Sequence, residues 1–284
     1  MTKPKVLITG ASTGIGYSCA KIFIENGCRV FGSVRKEADA ERVSRDLGHD
    51  FIPLIFDVSD HVAILREAEK VKEILGEHGL SCLINNAGIA VPGPLMHIPI
   101  DDLRKQFEVN VFGLFDVTKT FLPMLGAIKD YPLPPGKIIN ISSVAGQLST
   151  PFMGPYTGSK HALEGMTNCL RRELLLYGVD VVTVAPGPIK TPIWKKALGS
   201  ELSDEIMNSD YGTILKRILK NVDKKEKEAM EADDLAKRIY NIFKANNPKT
   251  YYIFRRKKFT QWTIPRYLLP ARALDRIMKK MLKM

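Results

Sequence analysis

Tyr156 and Lys160 stand four positions apart in the stretch YTGSK at 156–160. From about Ser159 to Tyr177, apolar residues recur at intervals of three and four, which predicts an amphipathic helix. Residues four apart share one helix face, so the phenol and the ammonium would lie side by side. A neighbouring cation favours phenolate and lowers the pKa of a tyrosine, which can then pass a proton to or from an oxygen. Taken alone, such a pair is more often a surface contact than a catalytic one.

The composition is that of an ordinary globular protein. With 284 residues, 45% hydrophobic and 26% charged, the chain suits one α/β domain over 1–284 with a sizeable core. The four cysteines form no C-x-x-C pair and are expected to be reduced core residues; they are Cys19, Cys28, Cys82 and Cys169. No His/Cys/Asp cluster has metal-ligand spacing, so no metal is expected. With neither a signal peptide nor a long apolar span, the sequence predicts a cytoplasmic protein.

A glycine-rich loop, TGASTGIG at 9–16, follows a short apolar run at 5–8 and precedes a helical pattern that reaches Gly27. The glycines permit a tight turn and allow the backbone to approach a pyrophosphate. The helix that follows supplies free N–H groups and partial positive charge at its N-terminus. Strand, loop and helix together predict a dinucleotide-binding site.

The end of the second predicted strand, at 29–34, indicates which dinucleotide is bound. An acidic residue here would hydrogen-bond the ribose 2′-OH of NAD, whereas an arginine accommodates the 2′-phosphate of NADP. The strand ends in Val34 and Arg35, with Ser33 before them and Lys36 after them. These residues favour NADP(H) over NAD(H), unless Arg35 is only a solvated loop charge.

Strands and helices continue to alternate along the chain. Strands are predicted at 51–58, 82–84, 137–141 and 179–185, and helices at 37–47, 62–75 and 101–125. This alternation predicts a doubly wound parallel sheet of the Rossmann type with helices on both faces. Ligands bind beyond the carboxyl ends of such strands. Four marked loops, at 10–16, 85–88, 142–143 and 186–187, leave strands at that one edge, so we expect them to form a single site.

In this order, the motifs resemble the short-chain dehydrogenase/reductase family, in the branch with T-G-x-x-x-G-I-G and Y-x-x-x-K. The matching positions are 9–16, Asp57-Val58, NNAG at 85–88, Asn110, Ser143, Tyr156, Lys160, Pro186-Gly187 and Thr191. The resemblance implies hydride transfer between a nicotinamide and a carbonyl or alcohol. It also implies a homodimer or homotetramer, built through the helix at 101–125 and the helix after Tyr156. The stretches VFGSVRKEADAE and YPLPPGKIINISS are similar to steroid and retinol dehydrogenases.

The resemblance implies four catalytic residues. Tyr156 would be the general acid in reduction and the base in oxidation, and Lys160 would lower its pKa and bond the nicotinamide ribose. Ser143, thirteen residues before Tyr156, would hold the substrate oxygen, and Asn110 would anchor a water that relays protons to Lys160. Alone, Asn110 would more simply satisfy a local backbone group. His97 is a weaker candidate for contact with substrate.

A larger set is expected to contact the cofactor. It comprises Gly10, Ser12, Thr13, Gly14, Ile15, Gly16, Ser33, Arg35, Asp57, Val58, Asn86, Ala87, Gly88, Pro186, Gly187, Ile189 and Thr191, together with Tyr156 and Lys160. Many NADP-using members carry a basic residue where this chain has Thr13, so the preference for NADP(H) depends mainly on Arg35.

Substrate recognition is predicted for a helical lid at about 188–223, which mixes apolar residues with charges. Apolar residues in the neighbouring loops favour a hydrophobic alcohol or ketone, such as a steroid-, retinoid- or acyl-like compound. The alternative is a regulatory or scaffold protein that binds the dinucleotide without turnover. The intact set of Asn110, Ser143, Tyr156 and Lys160 argues against that alternative.

The C-terminal segment at 251–284 carries ten Lys and Arg against one acid, which accounts for +9 of the net +11. A strand at 251–254 and a basic amphipathic helix at 273–282 are predicted. The favoured interpretation is a helix packed on the domain with a solvated charged face, or a flap at the substrate mouth. Peripheral contact with an anionic membrane is a second interpretation. Nucleic-acid binding is not expected, because no recognition motif accompanies the charge.

Overall fold

A seven-stranded parallel sheet organises the computed structural model, which describes residues 3–193, 204–220, 229–255 and 259–283. The strands are β1 (Lys5–Ile8), β2 (Arg29–Val34), β3 (Phe51–Ile55), β4 (Cys82–Asn85), β5 (Lys137–Ile141), β6 (Asp180–Pro186) and β7 (Tyr251–Phe254). Their order across the sheet is β3-β2-β1-β4-β5-β6-β7. The direction of winding therefore reverses between β1 and β4, where α/β sheets place ligands.

Helices cover both faces of the sheet. They are α1 (Gly14–Glu25), α2 (Glu37–Leu47), α3 (His61–Leu75), α4 (Ile100–Phe107), α5 (Leu114–Phe121), α6 (Gly154–Glu173), α7 (Asp204–Asn208), α8 (Gly212–Lys220), α9 (Ala232–Lys244) and α10 (Ala271–Leu282). Within the described ranges, no helix has both the length and the apolar content that crossing a bilayer requires.

Two apolar layers form the core, one on each face of the sheet. In β1, Val6 and Ile8 point into the layer that includes α1 and α9, while Leu7 points into the layer beneath α3 and α5. All three side chains are fully buried. A strand that is buried on both faces reads as a continuous apolar run, so the short hydrophobic segments located the strands well. The predicted Rossmann-type fold is confirmed.

Helix α6 begins at Gly154, five residues before the predicted start at Ser159. Its first turn contains Pro155, whose fixed φ suits the start of a helix. The apolar periodicity was absent from this turn, so the pattern located the body of the helix but missed its beginning. Tyr156 consequently lies in the first turn of the helix that carries Lys160.

The single helix predicted at 101–125 is divided in the structure. A π-helical segment, Glu108–Gly113, joins α4 to α5. Such segments often occur at functional sites, because the extra residue re-aims side chains within a continuous helix. Here the segment contains Asn110, which is buried.

Other expectations need correction or fall outside the described residues. Cys19, Cys28 and Cys82 are buried as predicted, but Cys169 is exposed, because it lies on the outward face of α6. Of the predicted lid, residues 194–203 and 221–223 lie outside the described residues, as do 256–258 and 284 of the basic segment.

Buried Lys137 connects the start of β5 to the end of α9. Its Nζ donates hydrogen bonds to the carbonyl oxygens of Ile242, Phe243 and Ala245, at 3.2, 3.1 and 2.7 Å. The last carbonyls of a helix have no partner within the helix, so the ammonium caps this C-terminus. Burial lowers the pKa of Lys137, and the charge of Asp180 opposes that shift.

We expect Lys137→Met to destabilise the protein by about 2 kcal/mol. The change removes charged hydrogen bonds and leaves the carbonyl groups at the end of α9 without their partner. Urea unfolding at fixed protein concentration measures the loss. Lys129→Met, at an exposed position, is the matched control and should change the stability little. Equal losses in the two variants would contradict the capping role.

Candidate active site

The residues predicted to carry the chemistry, Tyr156 and Lys160 among them, lie where β5 ends and α6 begins. Ser143 follows β5, and its side chain forms a hydrogen bond with that of Tyr156. The Nζ of Lys160 lies 5.8 Å from the centroid of the Tyr156 ring and donates to the carbonyl oxygen of Ile141, at 2.8 Å. The structure thus brings together the hydroxyl, the phenol and the ammonium that the sequence singled out.

Lys160 is buried, and burial disfavours its charged form. Desolvation lowers the pKa of Lys160 to about 8, although the negative charge of Glu164 raises it. The ammonium is therefore retained at neutral pH and lost as the pH rises through about 8.

The predicted effect of Lys160 on Tyr156 needs correction. Burial raises the pKa of Tyr156 above its usual value, and the hydrogen bond with Ser143 only partly opposes this. The reason is that the phenolate would lose its hydration inside the protein, whereas the Lys160 ammonium is engaged with the Ile141 carbonyl. Tyr156 is accordingly protonated at neutral pH, which is the form a proton donor requires.

Glu164, which the sequence reasoning missed, is a buried carboxylate one helical turn beyond Lys160. It accepts hydrogen bonds from the Ser142 hydroxyl at 2.7 Å, the Gln147 amide at 3.0 Å and the Tyr251 hydroxyl at 3.0 Å. These donors come from the loop after β5 and from β7. An acid four residues after Lys160 was visible in the sequence, but its burial was not.

Asn110 and Ser142 have partners that separate their roles from that of Ser143. The Asn110 side chain accepts from the N–H of Ile89 at 2.9 Å and donates to the carbonyl of Ile89 at 3.0 Å and to the Ser159 hydroxyl at 3.1 Å. Its amide thus joins the π-helical segment to the loop after β4 and to α6. Ser142 turns to Glu164, whereas its neighbour Ser143 faces Tyr156.

Gln106, also missed from the sequence, supports the same loop from α4. Its Oε1 accepts from the N–H of Val91 at 2.7 Å, and its Nε2 donates to the carbonyl of Ile89 at 2.9 Å. Gln106 and Asn110 lie four apart, so one helix face holds the loop at two points.

The glycine-rich loop has the geometry that a pyrophosphate requires. Gly10 and Gly14 have φ of +68° and +61°, which non-glycine residues rarely adopt. A Cβ built on Gly16 would lie only 2.2 Å from the carbonyl oxygen of Gly10, so a side chain there would push the loop away from the helix. The loop and the N-terminus of α1 form a cradle, and the first N–H groups of a helix have no partner within it, which fits a dinucleotide.

Asn86 holds two loops of the predicted cofactor site together. Its Nδ2 donates to the carbonyl oxygens of Thr9 and Gly10, at 2.9 and 3.2 Å. The Thr9 hydroxyl in turn accepts from the N–H groups of Asn86 and Ala87. Gly88 lies beside the Asn110 amide. The NNAG stretch is therefore anchored to the glycine-rich loop, and both side-chain donors of Asn86 are used within the protein.

The edge predicted to read the ribose contains Ser33, Arg35 and Asp57. Ser33 accepts from the N–H of Gly10 at 3.0 Å. Arg35 is exposed and lies 3.7 Å from the Asp57 carboxylate. Burial raises the pKa of Asp57, but hydrogen bonds from Ser59 and the charge of Arg35 outweigh it, so this pKa lies below its usual value.

Arg42, on α2, was not predicted to take part in the site. Its guanidinium donates to the carbonyl oxygen of Ser12 and to Asp39, at 2.8 Å in each case. The Arg42 side chain thus holds the glycine-rich loop at Ser12. The next residue, Thr13, precedes α1 and does not cap it with its side chain.

The loop after β6 closes over the glycine-rich loop. The Thr191 side chain lies against Gly14, and buried Ile189 pairs with Met230 in an isolated bridge. Gly187 donates its N–H to the carbonyl of Phe254, which ties this loop to β7. The remaining predicted residues lie along the same edge: Ile15 in α1, buried Val58 after β3 and Pro186 at the end of β6.

The described part of the lid contacts both loops beside Tyr156. The Tyr211 ring, between α7 and α8, makes edge contacts with Phe152 and His97, with centroid distances of 5.7 and 6.0 Å. Nearer the phenol, Ala90 packs with Tyr156, and Ala145, Met153 and Ile193 pack against this pair. His97 thus contacts the lid through Tyr211. The apolar residues around the Tyr156 phenol form a wall, and His97 lies at its edge.

This fold and site define an oxidoreductase that binds a nicotinamide dinucleotide at the edge of a Rossmann-type sheet. The short chain dehydrogenase family model matches residues 4–203, and the chain belongs to that family. The predicted family and the predicted class of enzyme, an NAD(P)-dependent oxidoreductase, are confirmed.

Three proteins with similar sequences are named as reductases or dehydrogenases. An NADPH-dependent 3-dehydrocapnine reductase of Ornithobacterium rhinotracheale is 42% identical over 98% of this chain and 96% of its own length. A 3-ketodihydrosphingosine reductase of Bacteroides thetaiotaomicron is 33% identical over 86% and 84%. Human dehydrogenase/reductase SDR family member 9 is 31% identical over 99% and 88%.

A solved structure agrees with the fold. A short-chain dehydrogenase of Burkholderia phymatum in complex with NAD superimposes with a TM-score of 0.78, at 25% identity, over 92% of each chain. Known proteins similar to this chain therefore include one named for its dependence on NADPH and one that binds NAD.

We expect Glu164→Gln to shift the alkaline limb of the reduction rate to lower pH, by about one pH unit. The negative charge of Glu164 raises the pKa of Lys160, so its removal lets the ammonium lose its proton earlier as the pH rises. Glutamine keeps the shape of the side chain and much of its hydrogen bonding. The measurement is the pH dependence of kcat for a ketone substrate.

Glu173→Gln is the matched control, since Glu173 is an exposed carboxylate on the same helix. Its pH profile should follow that of the wild type. An unshifted profile in Glu164→Gln would show that the charge of Glu164 does not act on Lys160.

Proposed function

We propose that this protein is an NADPH-dependent reductase of a ketone carried by a long, largely apolar molecule. The observation that carries the proposal is the Tyr156 phenol, buried beside an apolar wall of Ala90, Ala145, Met153 and Ile193. Among the described residues, this wall offers apolar contacts, at which a small charged acid would lose its hydration.

The residues would divide the work as follows. A nicotinamide dinucleotide held by the glycine-rich loop would supply the hydride for the carbonyl carbon. Tyr156 donates its proton to the carbonyl oxygen, and Ser143 holds that oxygen through its hydroxyl. Lys160 remains charged at neutral pH and stabilises the phenolate that proton donation leaves behind. Asn110 and Gln106 keep the loop after β4 in place during turnover.

Two relatives support the substrate class. Their names describe reductases of 3-dehydrocapnine and of 3-ketodihydrosphingosine, both of which act at an oxidised position 3. Sphingosines are long-chain amino alcohols, and a long alkyl chain matches the apolar wall. The part of the substrate that extends beyond the apolar wall would then contact the rings of Tyr211, Phe152 and His97.

The proposed preference for NADPH is supported by Arg35 and by one relative. Arg35 is the exposed cation at the end of β2, where an acidic residue would instead bind the ribose 2′-OH of NAD. The relative that is 42% identical is named for its dependence on NADPH. The Asp57 carboxylate, 3.7 Å from Arg35, would orient the guanidinium toward a 2′-phosphate.

We also propose a homodimer or homotetramer. The subunits would pack through the helical stretch from α4 to α5, at 100–121, and through α6, at 154–173. Phe112 and Met166 are exposed apolar side chains on these two elements, and space is open beyond the Cα of Gly165. Burial of such side chains in a subunit interface would remove them from water. Sedimentation velocity at several protein concentrations tests this; a monomer throughout would refute it.

The test of the enzyme proposal is NADPH oxidation by the purified protein with 3-ketodihydrosphingosine and with a short charged keto acid. We expect turnover of the long ketone only, and a rate at least about a hundredfold lower in Tyr156→Phe, which cannot donate a proton. Tyr177→Phe, away from the site, should retain the wild-type rate. Tight NADPH binding without turnover of any hydrophobic ketone would instead favour a regulatory dinucleotide-binding protein.

We expect Arg35→Gln to weaken NADPH binding about tenfold or more while leaving NADH binding nearly unchanged, because only NADPH carries the 2′-phosphate. Calorimetric titration with each dinucleotide measures both affinities. Arg45→Gln, an exposed arginine further along α2, is the control. An equal loss for both dinucleotides would show that Arg35 does not distinguish them.

A further inference from the structure

The C-terminal helix α10 separates apolar and basic side chains onto opposite faces. Leu274, Ile277, Met278 and Met281 recur at intervals of three and four and form one stripe. The basic residues of the helix, Arg272, Arg276, Lys279 and Lys280, lie on the other side, with Asp275 the one acid. This division is characteristic of helices that lie in a membrane interface.

The apolar stripe has little cover from the protein. None of the twelve residues of α10 is buried, and Ile277 and Met281 are 43% and 73% exposed. Leu274, Met278 and Leu282 are half-buried, so one edge of the helix rests on the protein while the other is open. The expected helix with a solvated charged face thus also leaves two apolar side chains, Ile277 and Met281, exposed to water.

The segment just before α10 extends this surface. Tyr267 and Leu268 are exposed apolar side chains that precede the helix by only a few residues. Together with Ile277, Met281 and the four basic residues of α10, they make up what we term the C-terminal surface. Large apolar side chains exposed beside a cluster of like charges usually mark an interaction site.

We propose that the C-terminal surface docks on an anionic lipid bilayer. The apolar side chains would enter the boundary between headgroups and acyl chains, and the basic side chains would contact the lipid phosphates. The rest of the chain is close to neutral, since the last 34 residues hold +9 of the +11 net charge. The attraction to anionic lipid is thus confined to the segment that carries the exposed apolar side chains.

Charge and shape favour a bilayer over the other occupants. A second copy of this chain would bring the same basic residues together, and like charges would repel each other. Nucleic acid would satisfy the charge but would leave Ile277, Met281 and Leu268 in water. A bilayer with anionic lipid can bind the basic side chains and bury the apolar ones at the same time. A helix lying in the plane of the bilayer needs no further partner.

Binding to vesicles of phosphatidylcholine, with and without phosphatidylglycerol, tests the proposal with the full-length protein. We expect binding to the anionic vesicles that weakens at high salt, and at least about tenfold weaker binding to the neutral ones. Lys279→Gln with Lys280→Gln should weaken anionic binding about tenfold. Ile277→Ser with Met281→Ser should weaken it about tenfold or more without any change in charge.

Two double variants serve as controls. Lys105→Gln with Lys129→Gln removes two exposed charges elsewhere, and Leu175→Ser with Leu176→Ser removes two exposed apolar side chains elsewhere. Both should bind anionic vesicles like the wild type. Circular dichroism and NADPH binding would show that every variant is folded, and vesicle binding is read without turnover, so this test does not depend on the proposed reaction.

The proposal fails if the wild type does not bind anionic vesicles, or if the two control variants weaken binding as much as the changes in α10. It also fails if the Ile277 and Met281 changes abolish self-association rather than vesicle binding, since the occupant would then be a second copy. Equal affinity for duplex DNA and for vesicles, with both reduced by the lysine changes alone, would exclude a specific role for the apolar stripe.

Discussion

The burial of one ammonium group, that of Lys160, is the constraint on which the rest of the site depends. An unpaired charge cannot be buried at an acceptable cost, so the surrounding protein must supply partners. The Ile141 carbonyl at the end of β5 supplies a hydrogen bond, and the Glu164 carboxylate supplies opposite charge from the next turn of the same helix. These two requirements fix α6 against the carboxyl edge of β5, and that docking places Tyr156 beside Ser143.

The loops of the site are held by hydrogen bonds within the protein rather than by contacts that must form with each ligand. Asn86 binds the glycine-rich loop, and Asn110 and Gln106 hold the backbone at Ile89. Glu164 collects donors from the β5 loop and from β7. A site anchored in this way keeps its geometry without reorganisation, which is what placement of a reacting atom demands. In the described part of the lid, by contrast, Tyr211 contacts Phe152 and His97 through ring edges.

The sequence predicted the sheet well because strands buried on both faces appear as short apolar runs, as in β1 and β5. It also identified the loops of the site, since parallel strands must deliver them to one edge. Four features escaped prediction because each depends on burial in the folded protein: the carboxylate of Glu164, the amide of Gln106, the exposure of Cys169 and the direction of the Tyr156 pKa shift. The π-helical segment at Asn110 was hidden for another reason, since its apolar pattern matches that of the flanking helices.

The two pKa shifts at the site, taken together, set which protons the site holds near neutral pH. Oxidation of an alcohol needs a deprotonated tyrosine, and the raised pKa of Tyr156 makes that form available only at high pH. Lys160, however, loses its proton above about pH 8 and can then no longer stabilise a phenolate. At neutral pH both protons are in place, with the phenol able to donate and the ammonium able to stabilise what remains. Burial, which raises one pKa and lowers the other, therefore leaves a protonated phenol beside a charged ammonium near neutral pH.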